Sequence, residues 1–128
     1  MPRASLLIVD AANVVGSVPD GWWRDRAAAT ERLRDALGPV VAEGLPGLPP
    51  PLEVVLVVEG RARGVASADP ITVVAAPGSG DDTVLELVQR AADEDRSCAV
   101  VTADRALKAR VRAAGASVVS PSTVPRRP

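Results

Sequence analysis

Acidic side chains follow short apolar runs at four places in the chain. Asp10 closes LLIVD and Glu59 closes VVLVVE. Asp81 and Asp82 follow ITVVAA by way of PGSG, and Asp104 follows AVVTA. Singly, each has a plain explanation: Asp82 and Asp104 suit helix N-caps, and Asp10 and Glu59 could end strands in solvated turns. Together they suggest chemistry. If the runs are neighbouring strands, about 4.8 Å apart, the carboxylates crowd one another. Bare carboxylates that close repel and raise each other's pKa, a penalty that a divalent cation removes. The rest of the composition narrows the choice. The chain has no His, no Tyr, no Phe and a single Cys, Cys98. That excludes Ser-His-Asp and Cys-His catalysis, His-ligated zinc and an internal disulfide. An all-oxygen ligand set favours Mg²⁺ or Mn²⁺. Such ions typically serve phosphate-ester hydrolysis, by lowering the pKa of a bound water and neutralising phosphoryl charge, which needs no His.

The elements that must position these acids can be read from the hydropathy pattern. Apolar, β-branched-rich runs at 6–9, 54–58, 71–74, 99–102 and 117–119 are continuous rather than alternating. This is the pattern of strands covered on both faces, as in a parallel sheet flanked by helices. Three- and four-residue apolar spacings predict helices over about 23–41, 82–95 and 104–114, with Asp82 and Asp104 as N-caps and Gly115 as a C-terminal stop. The implied fold class is α/β: a three-layer α/β/α domain with a mostly parallel, about five-stranded sheet. In such a sheet ligands bind outside the carboxyl ends of the strands, where the acids fall. The weakest link is 59–70, barely long enough for a parallel crossover. One domain is expected over 1–120, with 44–51 a stiff, partly polyproline II loop and 121–128 a disordered tail.

Charge and hydropathy bear on partners. Fifteen basic and sixteen acidic residues leave a net charge of −1; fourteen of the basic residues are Arg, and Lys108 is the sole Lys. No apolar run approaches the roughly 18 residues of a membrane span. The first run stops at Asp10 after four residues, which fits a buried strand better than a signal peptide, so a cytoplasmic protein is expected. Cys98 reads as a small buried hydrophobe. The overall charge argues against holding nucleic acid by bulk electrostatics. Neutralising Asp10, Asp81, Asp82 and Asp104 would nevertheless leave the remainder positive, which admits RNA as partner. Arg105, beside Asp104, is the favoured substrate contact on a helix face shared with Lys108 and Arg112. Arg61 and Arg63 read more readily as ordinary polar loop. Of Trp22 and Trp23, one is expected in the core, stapling the first helix, and the other is free to stack on bases. Ser79 and Gly80 could offer backbone N–H groups to a phosphate, although the loop lacks a P-loop Lys.

These motifs carry a resemblance. LIVDAANVVG resembles the opening of the PIN-like/NYN nuclease domains, where a strand ends in Asp and Asn follows three residues later. GSGDDTVLELV resembles their second acidic motif, and VVTADRALKARV their third, a strand ending in Thr-x-Asp before a helix. Order and spacing are most similar to the YacP-like branch, over roughly 5–120. The resemblance implies a metal-dependent ribonuclease using Mg²⁺ or Mn²⁺. Asp10, Asp81 and Asp104 would match the metal-binding and catalytic acids, with Asp82 beside them as an alternative ligand. Asn13 would fix the first loop or touch the phosphate, and Thr102 would stand at the substrate side of the fourth strand. The chain departs from the pattern in being short, in Asp-Ala-Ala-Asn for the more usual Asp-Gly-x-Asn, and in Glu59 where an Asp is expected. Two other readings stand beside this one: a metal-dependent phosphohydrolase acting on nucleotides, and a non-catalytic RNA- or protein-binding module of the same fold. Helical ExxE pairs, which nucleotide pyrophosphohydrolases use, are absent. No membrane partner is expected, and self-association is left open.

Overall fold

The structure is a computed structural model that describes residues 4–125. Five parallel strands form one sheet: β1 (Ser5–Asp10), β2 (Leu52–Val58), β3 (Thr72–Ala75), β4 (Cys98–Val101) and β5 (Ser117–Val119). Their spatial order is β3-β2-β1-β4-β5. The helices are α1 (Ala11–Gly16), α2 (Arg26–Leu37), α3 (Val40–Glu43), α4 (Gly80–Asp93) and α5 (Arg105–Ala113).

Strand periodicity divides the core into two layers. Leu7 and Val9 of β1, with Leu52, Val54, Leu56 and Val58 of β2, pack against Val14 of α1, Leu33 and Leu37 of α2 and Val40 of α3. Leu6 and Ile8, with Val55 and Val57, face the other way, onto Val84 and Val88 of α4 and Leu107 and Val111 of α5. Both faces are therefore covered, which is why the strands read as unbroken apolar runs. The chain runs outward from β1 to β3 and then returns past β2 and β1 to lay β4 on the other side of β1. The strand order therefore reverses between β1 and β4, the kind of position at which open α/β sheets bind ligands.

Several local expectations are corrected. The helix expected over 23–41 is interrupted. Trp22–Arg24 form a separate 3₁₀ turn entered through Gly21 at φ 83°, and α2 begins after Asp25, whose carboxylate accepts from the Ala28 N–H at 2.9 Å. At its far end Pro39, which has no N–H to donate, separates α2 from the single turn of α3. Helix α4 starts two residues before Asp82, with Ser79 as its N-cap; Asp104, by contrast, does cap α5, accepting from the Leu107 N–H at 2.8 Å. The short link from β2 to β3 does make a parallel crossover. It uses a 3₁₀ turn at Gly60–Ala62 and seats Ala62, Val65 and Ile71 in the α2 layer. The 44–51 loop contains a tight turn closed by two backbone hydrogen bonds between Leu45 and Leu48. Order continues past 120: Pro121–Thr123 form a 3₁₀ turn and Val124 is buried in the core, so only 126–128 of the expected tail lie outside the described residues. Apolar Val124 gives this segment something to bury.

Candidate functional site

The acids reach one edge because the strands are parallel and in register. Val9 pairs with Val101, so Asp10 and Thr102 emerge side by side from β1 and β4. Asp10 also lies opposite Val57 of β2, which puts Glu59 two residues farther along the neighbouring strand. Even positions of β1 and odd positions of β2 face α4 and α5. By that alternation Asp10 and Glu59 lean toward the helix starts that carry Asp81 and Asp104.

Asp10 is buried, with 7% of its surface exposed, and Thr102 is sealed at 1%. The Thr102 hydroxyl donates to Asp10 Oδ2 at 2.9 Å and accepts from the Asp104 N–H at 3.2 Å, joining two of the acids through one side chain. Burial pushes the Asp10 carboxyl up to about 6; the Thr102 hydroxyl and the Asn13 backbone oppose this, and the charges of Asp81 and Glu59 add to it. Asp81 is also raised, first by burial and then by Asp104 and Glu59, with Arg110 opposing. Asp81 and Glu59 thus act on Asp10, and Asp104, Glu59 and Asp82 act on Asp81, so the acids at this edge are linked through these two carboxyls.

Glu59 belongs to that group although its role was open in the sequence. Its Oε2 accepts from the Gly80 N–H at the start of α4. A Cβ on residue 80 would stand 3.0 Å from that oxygen, so the glycine is what admits Glu59 to the helix start. Ser79 Oγ accepts from the Asp81 N–H at 3.2 Å. The Gly80 N–H that the PGSG loop could offer to a phosphate is thus engaged within the protein, as is the Asp81 N–H that follows it. Asn13 Oδ1 accepts from the Ala103 N–H at 2.8 Å, bracing α1 against the β4–α5 loop.

Asp82 turns elsewhere. Its side chain is 70% exposed and lies 3.5 Å from Arg110 of α5, on the outer side of the two helices. Arg105 is exposed beside Asp104, and Arg61 and Arg63 are exposed just past Glu59. Neither Trp enters the core, which is wholly aliphatic. Trp22 is half-buried, and Trp23, 55% exposed, meets it edge-on at 5.9 Å between centroids. The expectation of a core Trp fails because the β-branched strands and Leu-bearing helices fill the interior without one. Cys98 is half-buried at the opposite end of the sheet, where burial pushes its thiol up to about 11.

The donor set suits a hard divalent cation: oxygen ligands only, at a place where burial first and neighbouring carboxylates second raise Asp10 and Asp81. Among the described residues, no three acids are close enough together to enclose an ion in this arrangement. Asp10 is held by Thr102, Glu59 by Gly80 and Asp104 by its own helix cap. Among the described residues, neither Glu59 Oε1 nor Asp104 Oδ2 has a hydrogen-bond partner.

Fold and edge together define a three-layer α/β domain with a five-stranded parallel sheet and acids at its carboxyl edge. No family model matches the chain, and no curated protein matches it in sequence. Among solved structures, it is similar to Rae1 (YacP) from Bacillus subtilis, with a TM-score of 0.75 and 16% identity, covering 93% of this chain and 70% of that one. A point mutant of the same protein gives 0.74 and 17%, over 93% and 71%. At this identity the likeness is one of fold. No helix among the described residues is long and apolar enough to cross a membrane.

Proposed function

We propose that the chain is a metal-dependent endoribonuclease, hydrolysing RNA phosphodiesters at the carboxyl edge of its sheet with Mg²⁺ or Mn²⁺. The observation that carries this reading is the gathering of Asp10, Glu59, Asp81 and Asp104 at the carboxyl edge of the sheet, where Asp81 and Glu59 act on Asp10, and Asp104 and Glu59 on Asp81. Asp10, Asp81 and Asp104 would hold the metal, with Glu59 as an additional carboxylate beside them. When bound, such an ion supplies a water of lowered pKa and neutralises charge on the phosphoryl oxygens. The remaining work falls to the chain's own residues. Thr102 fixes the Asp10 carboxylate through its hydroxyl, and Asn13 fixes the loop that leads into Asp104. Arg105, exposed at the start of α5, is the nearest guanidinium in sequence to that loop and would contact a backbone phosphate. The reading assigns a cytoplasmic setting, where RNA is met.

The test is cleavage of RNA in Mn²⁺ by wild type, Asp10→Asn and Asp104→Asn. Both substitutions keep one acceptor oxygen, enough for the α5 cap, while they remove the charge and turn the second oxygen into an NH₂ donor. Loss of cleavage in both is expected; equal activity in all three proteins would overturn the site.

One observation favours a second reading, a non-catalytic RNA-binding module. Asp10, Glu59 and Asp104 are each tied to a protein donor, and among the described residues no three acids are close enough to enclose a cation. Calorimetric titration with Mn²⁺ separates the two: the enzyme binds the ion and the module does not.

A further inference from the structure

Trp23 is the one large apolar side chain that the described residues leave in the open. A lone exposed apolar residue is ordinary, but this one is held in place. Its ring meets Trp22 edge-on, and the Arg26 guanidinium lies 5.2 Å from the Trp22 centroid. Asp25 is turned away into the cap of α2, so Arg24 is the exposed charge next to the ring. Among the described residues Arg24 has no ion-pair partner. A fixed Trp beside an Arg is the combination in which interfaces concentrate their energy.

At the other end of α2 lies a groove of about 510 Å³. Pro39, Val40, Leu45 and Pro125 give it apolar walls, and Asp35 and Glu43 line it as well. The wall at Leu45 belongs to the Pro-rich 44–51 loop, which the acidic edge does not use. Two backbone hydrogen bonds, of 2.9 and 2.8 Å, close its Leu45–Leu48 turn. Gly44 enters that turn at φ 72°, where a Cβ would collide with the Leu48 carbonyl and the Pro50 ring. Asp35 accepts from Arg34 at 3.0 Å. Glu43 is exposed and, among the described residues, has no ion-pair partner.

The two surfaces are complementary. One offers an aromatic ring and a free Arg24, the other proline and aliphatic walls and a free Glu43. Both are rigid before contact, which lowers the cost of ordering them. They cannot meet within one chain, because the twelve residues of α2 hold them about 18 Å apart. We propose that Trp23 of one copy seats in the groove between Pro39 and Leu45 of a second copy, with Arg24 against Glu43, so that the protein self-associates. A contact built on one ring and one ion pair belongs to the small, weak class of interfaces. The proposal does not depend on the ribonuclease reading of the acidic edge.

The experiment is sedimentation equilibrium of the full chain from about 1 μM to about 1 mM, the range in which weak contacts form. The mean mass of wild type should rise with concentration. Trp23→Ala should weaken association at least roughly tenfold, as loss of a central anchor does. Glu43→Arg and Arg24→Glu should each do the same by setting like charges against one another. Combining Arg24→Glu with Glu43→Arg in one chain should restore association, because the reversed pair attracts again. All three side chains are exposed, and melting curves establish that each variant is folded. The decisive arm mixes Trp23→Ala with Glu43→Arg. Each variant lacks one surface and keeps the other, so the mixture should form a one-to-one complex at concentrations where either alone is a monomer. Wild type that stays monomeric throughout, or a mixture that fails to pair, overturns the proposal. Equal association of wild type and Trp23→Ala also overturns it, since the contact then lies elsewhere. So does association that appears only when Arg126→Ser and Arg127→Ser are introduced, since the chain's own end then fills the groove.

Discussion

The two ends of the sheet treat charge in opposite ways. At the amino end, Arg96 Nη2 donates to Glu53 Oε2 at 2.6 Å, and Nε donates to the Ala4 carbonyl at 2.8 Å. Acid and base meet within the chain. At the carboxyl end, Asp81 and Glu59 act on Asp10, and Asp104, Glu59 and Asp82 act on Asp81, while Arg110, the cation that opposes them there, lies 3.5 Å from Asp82. The same strands, β1, β2 and β4, run between both ends, so the contrast is not one of burial or fold. One end pairs its charges within the chain, and the other gathers several carboxylates against the single opposing cation Arg110. Departures from internal consistency of this kind are expected where a protein acts rather than where it is merely held together.

The sharpest way to break the comparison is at Asp10. If the carboxyl end holds a metal as proposed, Asp10→Asn should lower RNA cleavage in Mn²⁺ by about a hundredfold or more, since even supporting residues of metal sites cost 10–100-fold. The same substitution should stabilise the metal-free protein. Folding takes up a proton at Asp10 between its unfolded value of 3.8 and its folded value of about 6. The associated stability is fully present below pH 4 and is lost as pH rises through 6, a decline of roughly 3 kcal/mol. Chemical denaturation across pH 4–7 without divalent ions should show this decline in wild type. Asp10→Asn should flatten it and be more stable at pH 7. Added Mn²⁺ should raise the stability of wild type and do little for the variant. A wild-type profile no different from that of Asp10→Asn would remove the claim that this end is charge-frustrated.

The amino end should respond in the reverse sense. Arg96→Ala removes two charge-assisted hydrogen bonds from a nearly buried side chain, one of them to a half-exposed Glu53. The expected cost is about 1–2 kcal/mol in unfolding free energy. RNA cleavage at a temperature where the variant remains folded should be unchanged. A loss of activity without a loss of stability would erase the distinction between the ends.

Much of this contrast was legible in the sequence, for a physical reason. A strand buried on both faces must be continuously apolar, so the first polar residue after each run marks its end. Parallel connection then puts Asp10, Glu59 and Asp104 on the same edge, with Asp81 just beyond it. Less visible were features that depend on contacts between segments far apart in the chain. The Glu59–Gly80 hydrogen bond spans 21 residues and the Asn13–Ala103 bond spans 90, and neither leaves a periodic signal. The break at Pro39 was visible in principle, but the apolar spacing through 23–41 masked it. Trp22 was misplaced for a different reason. Residue type suggests burial, yet nothing local says that an aliphatic core is already full.

The smallest expected effect separates two adjacent acids that the sequence could not rank. Ser79 rather than Asp82 caps α4, so the helix begins at Gly80, and Asp81 and Asp82 fall in its first turn about 100° apart. That rotation carries Asp81 toward Asp104 and Glu59, which raise its pKa, and carries Asp82 outward to Arg110. A solvent-exposed pair of this kind contributes little to stability. Asp82→Asn is therefore expected to leave the melting curve unchanged and to alter cleavage no more than a few-fold. Asp81→Asn, assayed beside it, should approach the loss seen at Asp10. Equal losses at both positions would mean that Asp82 turns inward when the site is loaded, and that the boundary between the charged edge and the paired surface runs one residue later than the structure draws it.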